Sequence, residues 1–400
     1  MIMGAVARVP AVRAIFIGVV AASAAACAAT VPLDRAVLAY DRKTVDSTSL
    51  LLLLNIARAR HNLPMHFTTV SSIAATYRYT FNGGAGPALT GDKGWLVLPT
   101  VGGSAEENPT ITLAPMQGDE FTQRLLTPFP EEKLTLLLRQ GYDVDALLRL
   151  LGAEIRVHNE AGALDAYKNR PSDRDGYTMY RRIMSHLSSI QDLHALQVEP
   201  LHFEYVWSVP EASITPESYL TTYKDLSLTP DPEHKAYRVA KRVNGRVMIT
   251  NYDPSILTNV ERFRLHEEAE ALPPTDVIVD IRPGYPGGAM PLHAALRLRS
   301  FHEVLTFIGR GIEEEPEFDV APDVRTPQVT ENPRRTLDIV ESRDPPASGG
   351  LSVTINGLHY AVREQRGYQW NQKAFNMLAQ LFQMSVSAVS QAGPAITISK

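Results

Sequence analysis

Cys27 is the only cysteine in 400 residues. The body of the chain therefore holds neither a cysteine-based zinc site nor a catalytic thiol. The other reactive side chains are scattered. The sequence has no G-x-S-x-G elbow, no phosphate-binding P-loop, no G-x-G-x-x-G turn and no H-E-x-x-H pair. His266-Glu267-Glu268 opens like a zinc-protease helix, but the second histidine is missing. His186 and His194 stand two turns apart on an expected helix, where single histidines usually mark the edge of a core. Arg282 to Gly288 (RPGYPGG) has the chemistry of a rigid turn, and Glu313-Glu314-Glu315 that of a solvated helix end. No metal or other cofactor is expected, and no catalytic residues are assigned.

Cys27 has its own context. Residues 1 to 13 carry Arg8 and Arg13 and no acid. An apolar stretch from Ala14 to Ala22 follows, then small residues up to the cysteine. A basic segment, a short apolar segment and a small-residue site together read as a secretory signal peptide. The apolar segment falls short of the about 20 strongly apolar residues that a spanning helix needs. Ala24-Ala25-Ala26-Cys27 resembles the lipobox of bacterial lipoproteins, with Ala24 where that motif usually carries a large aliphatic residue. The resemblance implies cleavage before Cys27, a diacylglycerol on its sulfur and an acyl chain on the new amine. Each buried methylene adds about 0.8 kcal/mol, so several chains anchor a protein firmly where one does not. Ala28, in place of an aspartate, implies sorting to the periplasmic side of the outer membrane. The bland alternatives are an ordinary cleavage site that leaves a soluble periplasmic protein, or an uncleaved anchor.

Lysine and arginine number 39 against 44 aspartates and glutamates. Removal of Arg8 and Arg13 makes the balance more acidic, which argues against nucleic acid as a partner. Apolar residues at 44% suffice for a full core, and at about 150 residues per domain two or three domains are expected.

The elements that must position any site are those of an α+β protein, with mixed antiparallel sheets packed against amphipathic helices. The expected divisions are a signal peptide over 1–26, a lipid-anchored tether over 27–45, and a helix-rich α/β region with a β-hairpin segment over 46–200. An α+β region over 201–315, a proline-rich loop over 316–350 and a C-terminal β-hairpin–helix–strand module over 351–400 complete the chain. In the first region, five leucines run from Leu50 to Leu54 in one helix, and Val70 to Phe81 alternates as a strand that Asn82-Gly83-Gly84 should end. Trp95 to Leu98 and Thr110 to Leu113 read as separate strands across a glycine-rich gap. Helices are expected near Asp119–Leu126, Glu131–Arg139, Val144–Leu151 and Asp175–Leu196. In the second, Leu201–Val209 and Val277–Ile281 read as strands and Asn244-Gly245 as a hairpin turn. Asp253-Pro254 reads as a helix start and Leu292–Ile308 as one helix. Strands at Thr336–Val340 and around Asn356-Gly357, a helix over Asn371–Val386 and a last strand over Ala395–Ser399 close the chain.

One strand suggests a function. Ile73 to Phe81 has about the length of a membrane β-strand, ~9 residues. Tyr77, Tyr79 and Phe81 fall on one face, and Arg78 with small or polar neighbours on the other. The ordinary reading is a half-buried strand of a soluble sheet. The sharper one is a membrane hairpin contributed by each copy to a shared barrel.

Leu51 to Arg58 (LLLLNIAR), Val70 to Ile73, Asn108 to Leu113 (NPTITL), Asp119 to Pro128, Gly357 to Tyr360 and Leu381 to Met384 together resemble a family of uncharacterised bacterial envelope lipoproteins. That resemblance implies an envelope location and brings no activity. The leading expectation is a non-enzymatic, lipid-anchored scaffold or assembly component within an envelope protein complex. The alternatives are a periplasmic hydrolase whose site assembles only in the fold, and an oligomeric lipoprotein that inserts its hairpin into the outer membrane.

Overall fold

The computed structural model describes residues 38–90, 94–159, 162–346, 350–365, 367, 369–386 and 396–399; for 70–90, 94–111 and 396–399 it describes the backbone alone. Cys27 and the expected signal peptide lie outside the described residues. The fold is α+β with mainly antiparallel sheets. The described residues divide into two compact units, one holding 38–52, 66–117 and 396–399, the other 53–65 and 118–386. Helix α1 (38–60) belongs to both. Of its leucine run, Leu52 and Leu53 are fully buried while Leu50 is exposed.

In the first unit β1 (Phe67–Thr90) and β2 (Gly94–Met116) form one antiparallel ribbon, paired from Phe67↔Met116 to Thr90↔Gly94 with a single slip at Ser71. The expected stops do not stop it. Asn82-Gly83-Gly84 lies inside β1, and the two short strands expected on the return are one strand. The register supplies the reason. All six ribbon glycines face larger partners: Gly83↔Val101, Gly84↔Thr100, Gly86↔Leu98, Gly94↔Thr90, Gly102↔Asn82 and Gly103↔Phe81. Glycine weakens a strand because it has nothing to pack, and a bulkier cross-strand partner offsets that loss.

The second unit opens with α2 (Asp119–Leu126), α3 (Glu131–Arg139) and α4 (Val144–Leu151), all where the leucine spacing predicts them. Its main sheet takes β3 (Gly152–His158), β4 (Leu164–Lys168), β5 (Gln197–Pro210), β6 (Ser227–Asp231), β7 (Ala236–Thr250), β8 (Asp276–Ile281) and β9 (Leu292–Leu298). The order is β4-β3-β9-β8-β7-β5, with β6 also on β7, and every pairing but β7–β8 is antiparallel. Helix α5 (Arg174–Asp192) packs against α4 and β4 with Tyr180, Ile183, Met184, Leu187 and Ile190 buried. A one-turn α6 (Pro216–Ser218) precedes β6. Helix α7 (Asn259–Glu270) packs on β5 and β7, closing a core of Leu201, Met248, Tyr252, Leu257, Leu265, Ala269 and Ile278.

Three expectations for this unit are corrected. Leu292–Ile308 is strand β9 followed by α8 (Phe301–Gly311), which starts at Ser300 in a capping box with Glu303. Its alanine, leucine and arginine favour helix, but a place between β3 and β8 overrides that preference. Asn244-Gly245 is no hairpin turn, because β7 runs through it against β5 with a register shift between Pro200 and His202. A side chain at Gly245 would lie 3.2 Å from the Leu201 carbonyl oxygen, so the glycine allows a close backbone approach at this bulge. Asp253-Pro254 caps only a 3₁₀ turn; α7 starts at Thr258 in a second capping box, with Glu261.

A smaller sheet holds β10 (Ile339–Ser342), β11 (Ser352–Ile355) and β12 (Leu358–Val362) in the order β10-β12-β11, followed by α9 (Trp370–Val386). The last strand, β13 (Ile396–Ser399), follows the hairpin and helix as expected but pairs with β2 over Leu113–Thr110.

The proline-rich segment is held from inside. Arg149 on α4 and Arg181 on α5 are fully buried. Arg149 donates to the Pro333 carbonyl at 2.9 Å and to Thr336 Oγ1 at 3.1 Å; Arg181 donates to Asn332 Oδ1 at 2.8 Å. Glu317 accepts from the Tyr177 hydroxyl at 2.8 Å and from the Thr336 hydroxyl and amide at 2.7 and 2.6 Å. Burial alone would push the Glu317 carboxyl up, but Arg149, Arg181 and Thr336 hold it below its ordinary value.

Candidate functional site

Tyr77, Tyr79 and Phe81 lie within β1, opposite Glu107, Ala105 and Gly103. Successive residues of a strand alternate between its faces, so the register assigns every ribbon position to one face or the other. From Tyr79 to Leu89, one face takes Tyr79, Phe81, Gly83, Ala85, Pro87 and Leu89, with partners Ala105, Gly103, Val101, Pro99, Val97 and Trp95. No residue of that set is polar apart from the two aromatic tips, Tyr79 and Trp95, which stand at its opposite ends. The other face takes Thr80, Asn82, Gly84, Gly86, Ala88 and Thr90, with Ser104, Gly102, Thr100, Leu98, Leu96 and Gly94. It mixes glycine and alanine with four hydroxyl residues and Asn82, and carries Leu96 and Leu98 toward the turn.

The ribbon's only charged residues are Arg78, Glu106 and Glu107. They sit on two adjacent rungs, Arg78↔Glu106 and Tyr77↔Glu107. One side of those rungs is therefore a charge-free length of ribbon, and the residues that join its strands in sequence, Gly91-Asp92-Lys93, are polar. At about 3.3 Å per residue, Tyr79 to Leu89 matches the 9–11 residues that a tilted strand needs to cross a bilayer. Over this length β1 and β2 pair with each other, and β13 covers only the far end of β2. Among the described residues no other strand pairs with the outer edge of either strand over this length.

The remaining sequence candidates take ordinary places. His186 is buried in α5 beside Thr326, with burial pushing its imidazole down; His194 lies beyond the helix end at φ 55° and shares no face with it. The 282–288 turn is clamped by Asn251, whose amide donates to the Arg282 and Pro286 carbonyls at 2.9 and 3.0 Å. Glu313, Glu314 and Glu315 pair with Arg60, Arg310 and Arg170. Cys27 lies outside the described residues.

Histidines and carboxylates do converge in one place that the sequence reading passed over. His158 ends β3, His293 begins β9, Asp280 is its partner on β8, and Glu268 reaches them from α7. His293 Nδ1 lies 3.1 Å from Asp280 Oδ1 and its Nε2 2.7 Å from Glu268 Oε1. Those two hydrogen bonds push the His293 imidazole up to about 9. Burial would raise the Asp280 carboxyl, but bonds from His293, Tyr252 and Arg282 hold it below its ordinary value. His158, Glu268 and His293 come from distant parts of the chain, and the only local signal was the incomplete His266-Glu267-Glu268 motif. Among the described residues no helix is long and apolar enough to cross a membrane. No family model, no curated protein and no solved structure matches the chain.

Proposed function

We propose that this protein is a lipid-anchored component of the cell envelope that assembles with its own copies. Each copy passes residues 79–89 and 95–105 of its ribbon across the outer membrane as two strands of a shared β-barrel. The observation that carries this reading is the register, which gathers an apolar face from Tyr79 to Leu89, places the hydroxyl residues and Asn82 on the other face, and confines charge to rungs outside that length. Backbone chemistry then requires oligomers. In hydrocarbon every N–H and C=O must be paired, so a two-stranded ribbon with open edges enters a bilayer only when neighbouring ribbons close the ring. The acyl groups on Cys27 hold the copies at the membrane, where they meet. Tyr79 and Trp95 would lie at the two interfaces, where aromatic residues gather in membrane barrels.

Two measurements test this. Metabolic labelling with a clickable palmitate should mark the wild type and leave Cys27→Ser dark; a dark wild type removes the anchor. With Cys27 blocked, single cysteines at 79, 80, 81 and 82 can carry an environment-sensitive dye. On addition of phosphatidylethanolamine–phosphatidylglycerol vesicles, positions 79 and 81 should shift strongly to the blue and 80 and 82 much less. Four unshifted or four equal responses overturn insertion.

A further inference from the structure

We infer that His158, Glu268 and His293 form a binding site for one divalent transition-metal ion of the zinc type. The site lies in the second unit and is independent of the membrane reading. Each residue offers one ligand atom, and the three atoms lie within 4.8 Å of one another. Two imidazole nitrogens and one carboxylate oxygen are a donor set that suits zinc, and one found where zinc keeps a fourth position open for water. His158 Nε2 and Glu268 Oε1 are 3.9 Å apart and the two imidazole rings 5.3 Å apart between centres. A tetrahedral ion with bonds of about 2.0–2.1 Å holds its donors about 3.4 Å apart. His158 is 42% exposed at the end of its strand, so rotation of its side chain closes the remaining gap.

The second layer of contacts sets the cluster apart from a surface ion pair. A metal-bound histidine usually donates its other ring N–H to a carboxylate, which fixes the ring and makes it a better ligand. Asp280 takes that place for His293, with 8% of its side chain exposed. Its other oxygen accepts from the Tyr252 hydroxyl at 2.5 Å and from Arg282 Nε at 2.8 Å. His293 thus turns Nδ1 toward a fixed acceptor and Nε2 toward Glu268 and His158. Ion binding would replace the 2.7 Å hydrogen bond between Nε2 and Glu268 Oε1 and open that pair to the about 3.4 Å spacing of two ligands. The bound ion would activate the water on its open face, which is the chemistry a hydrolytic site needs.

The test uses the full mature chain in detergent, stripped with chelator and titrated with zinc chloride in a calorimeter. One zinc per chain is expected. His158→Ala and Glu268→Gln should each raise the dissociation constant at least 10-fold, while His234→Ala, at an exposed histidine elsewhere, should not change it. Cobalt(II) should give visible bands in the wild type that His158→Ala loses. Zinc should raise the melting temperature of the wild type and not that of His158→Ala, whose metal-free melt reports whether the variant folds. A wild type that takes up no zinc overturns the site, as does a folded His158→Ala that binds within twofold of it.

Discussion

In the seven-stranded sheet, the interior strand β8 is buried along its whole length and paired on both sides, to β7 and β9. In the ribbon, β1 and β2 pair with each other, and among the described residues only Thr110–Leu113 of β2 gains a second neighbour. The first sheet buries its interior strands in a packed body while β4 and β6 stay exposed, and charge is buried nearby at Arg149, Arg181 and Glu317. The second carries charge on two rungs and sorts the rest of its residues by face. A sheet that buries both faces against its own chain needs no such sorting, since apolar residues suit either side. Separation of polar from apolar along a charge-free length is what a strand needs when one face meets lipid and the other water.

Five substitutions sharpen that contrast. The largest effect should come from Glu317→Gln, which leaves Arg181 without its buried counter-ion and Arg149 with Asp145 alone. About 3–5 kcal/mol of stability should be lost from the second unit, read by urea denaturation at neutral pH. The pH dependence has a definite sign. The folded carboxyl sits below its ordinary value, so its stabilisation is complete above about 4.3 and disappears as pH falls through the lower folded value. The variant should lose that part of the acid limb. Next in size, Ala85→Arg should weaken vesicle insertion by about 2–4 kcal/mol per chain, since position 85 lies near the middle of the 79–89 crossing. Gly84→Arg, one residue along, should be tolerated because it faces the other way; equal losses at both sites in a flotation assay would erase the distinction between the faces. Ser300→Ala should cost about 1 kcal/mol by removing the α8 cap, with no change in flotation. Least of all, Arg78→Gln should change ribbon stability by about 0.2–1 kcal/mol, the worth of one cross-strand charge pair, as read by hydrogen exchange of the ribbon amides.

The sequence made some parts of this molecule readable and left others hidden, for physical reasons. The alternation from Ile73 to Phe81 announces a strand, because period two is local. Its continuation was hidden because Asn82-Gly83-Gly84 and Gly102-Gly103 carry the signal of a stop. What lets them stay in the strand is the residue opposite, as Phe81 is for Gly103, and a register is not written in either strand alone. Leu292–Leu298 misled for the same reason: its residues favour helix, and only β3 and β8 on its flanks make it a strand. The spacing of 131–151 predicted its helices well, since their faces repeat within a few residues. The cluster at 158, 268 and 293 could not be read at all, because its members meet only after the sheet order is set.

One consequence follows from the place of β13. Its partner on β2, Thr110–Leu113, leaves the ribosome well before Ile396–Ser399, with a long stretch of chain between them. Loop closure costs only modestly more as the loop lengthens, so the pairing is within reach once both segments exist, but it cannot form before. The base of the ribbon therefore stays two-stranded until residues 396–399 have been made. Any product that stops before them lacks the third strand, so β13 ties the finished base to synthesis at least that far.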